Sequence, residues 1–168
     1  VYDENGKFYN RLIVAFPDGI CRFYDKHNCF RMGGYTPGEK QLFFEYKGYK
    51  IATYICYDLR FPEVARFAAT HGCHLLINPA AWVDGRLKAD QWRTLLSARA
   101  IENEIFVAGL SRVDKGYIGQ SAVFGPDGVM LASGSVREEL VAARIDLSAI
   151  DGVRAAMPVL EHRRPELY

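Results

Sequence analysis

Of the reactive side chains in this sequence, Cys56 has the most informative neighbours. The run Tyr54-Ile55-Cys56-Tyr57-Asp58-Leu59-Arg60-Phe61-Pro62-Glu63 leaves an apolar stretch, turns, and enters a helix whose start is marked by Pro62 and Glu63. A cysteine at such a corner stands above a sheet edge, where a turn exposes the sulfur and backbone N–H groups point at a bound oxygen. A helix N-terminus or a nearby cation favours the thiolate, so the position suits a nucleophile. It suits a core cysteine before an ordinary turn equally well, and position alone divides the two readings evenly.

The other candidates are weaker. Arg60 offers a guanidinium fork for a substrate carboxylate, although an ion pair with Asp58 or Glu63 is the favoured reading. Asp58 is expected to organise the turn. Tyr57 and Trp82 are either walls of a small-molecule pocket or core residues. Cys21, Cys29 and Cys73 show no CxxC spacing and read as small buried hydrophobes. A resolving thiol for redox chemistry at Cys56 is lacking, because Cys73 lies across a helix. His71, His74 and His162 have no acidic or cysteine partner at ligand spacing, so no metal and no cofactor is expected.

The elements that must position these groups follow from periodicity and turn chemistry. Lys7–Phe16 and Ile20–Asp25 read as a hairpin about Pro17-Asp18-Gly19, followed by a loop over His27–Lys40. Gln41–Tyr46 and Tyr49–Tyr57 form a second strand pair around Lys47-Gly48. A helix from Phe61 to about His71 precedes a buried strand at His74–Asn78 and a loop at Pro79–Lys88. Asp90 caps a helix that runs to Asn103, with Trp92, Leu95, Leu96 and Arg99 on one face. Strands are expected at Glu104–Val113, Ser121–Phe124, Val129–Ala132 and Glu139–Ile145, then a capped helix at Ser148–Met157 and a charged tail. Strands outnumber helices and alternate with them only in the middle. The class is therefore α/β or α+β with a mixed sheet, in one domain over residues 1–168.

Composition narrows the function. The chain has 168 residues, 49% hydrophobic and 24% charged, with 21 Lys and Arg against 20 Asp and Glu for a net charge of +1. That balance argues against nucleic acid or an anionic membrane as the main partner. No apolar stretch reaches the roughly eighteen residues needed to cross a bilayer, and Val1–Lys7 is too polar for a signal peptide. A soluble, cytoplasmic protein is expected.

Several words of the sequence together resemble the carbon–nitrogen hydrolase (nitrilase) superfamily. Ile55-Cys56-Tyr57-Asp58-Leu59-Arg60-Phe61-Pro62-Glu63 is similar to its nucleophile motif, and Phe23-Tyr24-Asp25-Lys26-His27 to the strand end carrying its lysine. Asn78-Pro79-Ala80-Ala81-Trp82, Ala98-Arg99-Ala100-Ile101-Glu102-Asn103, Gly119-Gln120-Ser121 and Pro126-Asp127-Gly128 resemble its later segments, in order. The nearest branch is the omega-amidases. The resemblance implies an αββα sandwich and hydrolysis of a small carboxamide, the omega-amide of a short dicarboxylic or 2-oxo acid. Cys56 would form a thioester and release ammonia, Lys26 would stabilise the oxyanion and lower the thiol pKa, and the Tyr57 N–H would be the second oxyanion donor. It also implies a homodimer, with the Arg163-Arg164 region bridging to the second subunit.

The sequence departs from the family pattern in three places. The general-base glutamate, upstream of the lysine in the family, has no counterpart before Lys26. The loop at Met32-Gly33-Gly34-Tyr35 carries no acid where a second glutamate is usual, and it reads as shortened. His27-Asn28-Cys29 departs from the usual wording after the lysine. Glu39 and Glu63 match neither motif position. The domain is therefore expected to lack its N-terminal part and to expose apolar sheet edges. Two rivals stand beside the amidase: another substrate of the family, such as a nitrile, and a catalytically dead scaffold subunit.

Overall fold

The computed structural model describes residues 2–30 and 34–167, so Met32 and Gly33 of the shortened-loop reading lie outside the described residues. The chain opens on a tight hairpin, β1 (Tyr2–Glu4) and β2 (Lys7–Tyr9), closed by Asn5 and Gly6, both at positive φ. Two such residues make the turn whose twist matches paired strands. A second hairpin joins β3 (Arg11–Ala15) to β4 (Cys21–Asp25). The strand expected over Lys7–Phe16 is thus divided at Asn10, because its halves pair with different partners. The Asn10 carbonyl leaves both ladders and accepts the Lys26 N–H at 2.9 Å.

The main sheet has six strands in the order β10-β9-β8-β7-β6-β5. Strands β5 (Phe43–Tyr46) and β6 (Tyr49–Thr53) form a hairpin about Lys47-Gly48, again with positive φ at both residues. Strands β6, β7 (Leu75–Ala80) and β8 (Phe106–Ser111) run parallel, and β9 (Ala122–Phe124) and β10 (Met130–Ser133) continue antiparallel. Helix α1 (Pro62–Thr70) carries the chain from β6 to β7, and α2 (Lys88–Ile101) from β7 to β8. Since β6, β7 and β8 point the same way, their carboxyl ends share one edge of the sheet, where open α/β sheets bind ligands.

The core lies between this sheet and its helices. Val64, Ala65, Ala68 and Ala69 of α1 and Trp92, Leu96 and Ala100 of α2 are buried, with Leu76, Ile105, Phe106 and Val107 among the sheet residues. Each large apolar side chain so buried contributes about 1.5–3 kcal/mol. Gly109 of β8 lets α2 approach closely, since a Cβ there would fall 2.5 Å from the Trp92 ring.

Three local expectations fail. Helix α2 starts at Lys88, capped by Leu87 in the left-handed region (φ 61), and Asp90 lies in its first turn. Residues 137–146 form no strand: the segment is apolar over 140–143, but no strand edge receives it, and Leu140 is 93% exposed. Strand β6 stops at Thr53 rather than reaching Tyr57. Helix α3 (Leu147–Ala156) forms as expected, with the Asp146 carboxylate accepting the Ser148 N–H.

Candidate active site

Beyond β6 the chain turns sharply into a short 3-10 turn at Cys56–Arg60, from which α1 follows. Cys56 itself has φ +49, a left-handed conformation that a non-glycine residue adopts at a cost of about 1–3 kcal/mol. The conformation holds because the corner is fixed on several sides. The Ile55 N–H donates to Asp58 Oδ2 at 3.0 Å, the Asn78 amide reaches the Cys56 carbonyl at 3.5 Å, and the Arg99 Nε–H donates to the Leu59 carbonyl at 3.0 Å. Arg99 lies on α2 and is steadied by Glu102 at 2.8 Å, so its bond to Leu59 anchors α2 to the corner from behind.

Asp58 is fully buried and accepts four hydrogen bonds. Besides the Ile55 N–H, its oxygens take the Tyr24 hydroxyl at 2.9 Å, the Asn28 N–H at 2.8 Å and the Asn28 side-chain amide at 3.0 Å. Tyr24 and Asn28 flank Lys26, which is itself buried at 8% exposure.

Cys56, Lys26 and Tyr57 come together at this corner. The Cys56 sulfur is half-buried and faces the Ala81 carbonyl at 3.9 Å, just past the carboxyl end of β7. Burial pushes its thiol pKa up, while the Lys26 ammonium, followed by backbone groups of Ala81 and Tyr57, pulls it down and Asp58 adds a smaller upward push. Burial wins. Lys26 therefore acts in the expected direction without making Cys56 a resting thiolate. The Tyr57 ring sits edge-on between Phe30 and Phe61, each at 5.3 Å between centroids.

Arg60 and Trp82 form a layer of their own. The favoured pair of Arg60 with Asp58 or Glu63 is not present: Asp58 is filled by other donors, and Arg60 donates to Gln91 Oε1 at 2.9 Å. Its guanidinium also stacks 4.7 Å above the Trp82 ring. Trp82 is 4% exposed, donates from Nε1 to the Lys88 carbonyl at 3.0 Å, and leans on Trp92 at 5.0 Å. It is a core residue reached by Arg60 rather than an open wall. Glu39 and Glu63 are both exposed; Glu63 lines a cavity of about 590 Å³ with Pro62, Arg66, Glu102 and the tail residues Met157 and His162.

Sequence reasoning placed Asp58 at the turn but missed its reach to Tyr24 and Asn28. It also missed Asn78, whose Oδ1 is buried without a partner among the described residues. A polar residue closing the apolar run Leu75-Leu76-Ile77 was the available signal. No group of His, Cys, Asp and Glu able to hold a metal occurs among the described residues.

A mixed sheet with a cysteine corner after its parallel strand and helices packed against it is the nitrilase-type architecture. The family model for carbon-nitrogen hydrolases matches residues 1–155, and the chain belongs to that family. It is 37% identical over 174 residues to the 2-oxoglutaramate amidase of Bacillus subtilis, covering 98% of this chain and 66% of that protein. With the omega-amidase NIT2 of Homo sapiens it shares 33% identity over 183 residues, 99% of this chain and 66% of the relative. Among solved structures, a CN-hydrolase superfamily protein of Xanthomonas campestris with an arsenic adduct in its active site superposes with a TM-score of 0.86 at 35% identity. That match covers 96% of this chain and 66% of the other. The chain spans about two thirds of the length of these relatives. Among the described residues, no helix is long and apolar enough to cross a membrane.

Proposed function

We propose that this domain hydrolyses the terminal amide of a short dicarboxylic or 2-oxo acid through a thioester on Cys56. The observation that carries the reading is a half-buried thiol on a left-handed corner residue, under the charge of a buried lysine. Similarity to 2-oxoglutaramate amidase and to omega-amidases supports the substrate class. The Cys56 sulfur attacks the amide carbonyl, and the Lys26 ammonium and Tyr57 N–H stabilise the oxygen as it becomes negative. One such donor is worth about 3 kcal/mol of barrier. Ammonia leaves and water then cleaves the thioester. We also read residues 1–168 as part of one carbon–nitrogen hydrolase domain that acts in the cytoplasm as a homodimer.

Because burial keeps Cys56 a thiol, a base must take its proton during attack. Asp58 is the carboxylate that acts on the thiol, and its four hydrogen bonds leave it no free lone pair for that work. General-base help is worth about 10²–10⁴-fold. The 168-residue chain is therefore expected to acylate slowly and to deacylate more slowly still. Incubation with a short omega-monoamide followed by intact-mass spectrometry should show an acyl adduct, with loss of ammonia, that Cys56→Ala abolishes. An adduct that survives in Cys56→Ala, or that never forms, overturns the assignment.

A further inference from the structure

The four hydrogen bonds of Asp58 come from two separate parts of the chain. The Ile55 N–H belongs to the corner that carries Cys56; the Tyr24 hydroxyl and both Asn28 donors belong to the segment that carries Lys26. The Tyr24 oxygen also accepts the His27 N–H at 3.2 Å, so residues 24, 27 and 28 are all tied, directly or through one hydroxyl, to a single carboxylate. Lys26 lies inside this group. Its own backbone is held on both sides, the N–H by the Asn10 carbonyl and the carbonyl by the Gly38 N–H, each at 2.9 Å. A carboxylate offers about four acceptor sites, and all are filled. Free rotation of either partner would break at least one bond to a buried charge.

We propose that Asp58, acting with Tyr24, is a positioning residue that fastens the Lys26 segment to the Cys56 corner and so sets the distance between ammonium and sulfur. The proposal rests on the pairing of Lys26 with Cys56 given above. Among the described residues, no other side chain hydrogen-bonds to both segments. The Lys26 side chain has no ion pair among the described residues, so its direction depends on the backbone that carries it. The groups that act on the Cys56 thiol are Lys26, Asp58, and the backbone of Ala81 and Tyr57. Those that act around the bracket are Lys26 and, less strongly, Asp58 on Cys29, and Asp58 and Tyr54 on Tyr24.

Substituting Asp58 itself removes a charge as well as a bracket, and Asp58→Asn would aim amide hydrogens at donors already in place. Tyr24→Phe avoids both problems, since it deletes one hydroxyl and leaves the carboxylate charged. The measurement is the pH profile of Cys56 alkylation by iodoacetamide, followed by peptide mass spectrometry in folded protein. Wild type is compared with Tyr24→Phe, Lys26→Met and the double variant, with near-ultraviolet circular dichroism confirming each fold. Lys26→Met is expected to move the profile to higher pH, because the thiolate loses its cation. Tyr24→Phe should move it part of the way, giving about threefold slower alkylation at pH 8. The double variant should coincide with Lys26→Met alone, since a bracket has no effect on a lysine that is absent. A Tyr24→Phe profile lying on the wild type, or a double variant whose shifts add, overturns the bracket while leaving the Lys26–Cys56 pairing intact. A Lys26→Met profile that does not move overturns the pairing and the bracket with it.

Discussion

Replacing Gly109 by alanine tests whether the close contact of α2 with β8 sets the packing of the core. The added Cβ would stand 2.5 Å from Trp92 Cζ2 and 2.6 and 2.7 Å from the two methyl carbons of Leu96. Carbon atoms in contact need about 3.5–4.0 Å, so the methyl intrudes by about 1 Å on three atoms. Trp92 cannot recoil, because its indole N–H donates to the Gln120 carbonyl at 3.0 Å and its ring rests against Trp82. Leu96 is fully buried and has no open side to turn toward. Either the helix lifts or Leu96 leaves its rotamer. Overpacking of this kind costs about 1–3 kcal/mol, and the upper half is expected here. For a chain of this size each kcal/mol lowers Tm by about 2–4 °C, so Gly109→Ala should melt about 4–12 °C below wild type. Leu96→Ala makes room for the methyl at its own cost of about 2–5 kcal/mol. The double variant should therefore be about 1 kcal/mol or more stabler than the two single costs summed. A wild-type Tm for Gly109→Ala, or strict additivity in the double variant, would refute this account of the interface.

Other outcomes follow from the same geometry. Cys73 is fully buried and its thiol is pushed up to about 11 by burial. Its folded pKa lies above its unfolded value, so the stability it confers is complete below about pH 9 and is lost between about pH 9 and 11. The loss amounts to about 2–3 kcal/mol in urea titrations, and Cys73→Ala should flatten that stretch of the curve. Glu104, also buried, accepts the Val159 N–H at 2.9 Å and the Leu160 N–H at 3.4 Å, with Arg154 at 3.9 Å. Glu104→Ala should cost about 2–3 kcal/mol and open residues 157–164 to limited proteolysis; an unchanged digest would count against the anchor. Gln91→Ala deprives Arg60 of its acceptor but not of the Trp82 ring. Stability should fall by less than about 1.5 kcal/mol, and a larger loss by thermal melting would mean that Arg60 is held chiefly by Gln91.

Much of this arrangement could be read from residue types, and the failures share a cause. Pro17-Asp18-Gly19 and Lys47-Gly48 announce turns through local chemistry, and hairpins close at both. Pro62 and Glu63 mark α1, and the family words locate Cys56 and Lys26. The errors arise where the deciding partner is distant in sequence. Nothing near Asn10 tells that its two flanking strands belong to different ladders. The apolar residues within Glu139–Ile145 predict a strand, yet a strand needs a neighbour and local composition cannot supply one. Arg60 faces two nearby acids in sequence but reaches Gln91, thirty-one residues away, because Asp58 is already committed.

The reach of Asp58 also bears on the order of folding. Its bonds to Asn28 and Tyr24 span 30 and 34 residues, and closing a loop of that length costs about 3 kcal/mol in chain entropy beyond a constant. The pairings of β6 with β7 and of β7 with β8 close loops of 24 and 31 residues at a similar cost, but they bury the main apolar core as they form. The hairpin that bears Lys26 buries less of its surface (one fully buried residue in β3 and β4, Tyr24) and is expected to dock afterwards. Until it does, Cys56 is a cysteine at a sheet edge with no cation beside it, and the chain is folded in most of its contacts while chemically inert. Reactivity is then a late kinetic product of folding, and a pulse of alkylating agent during refolding should find the sheet formed before the thiol acquires its native pH profile.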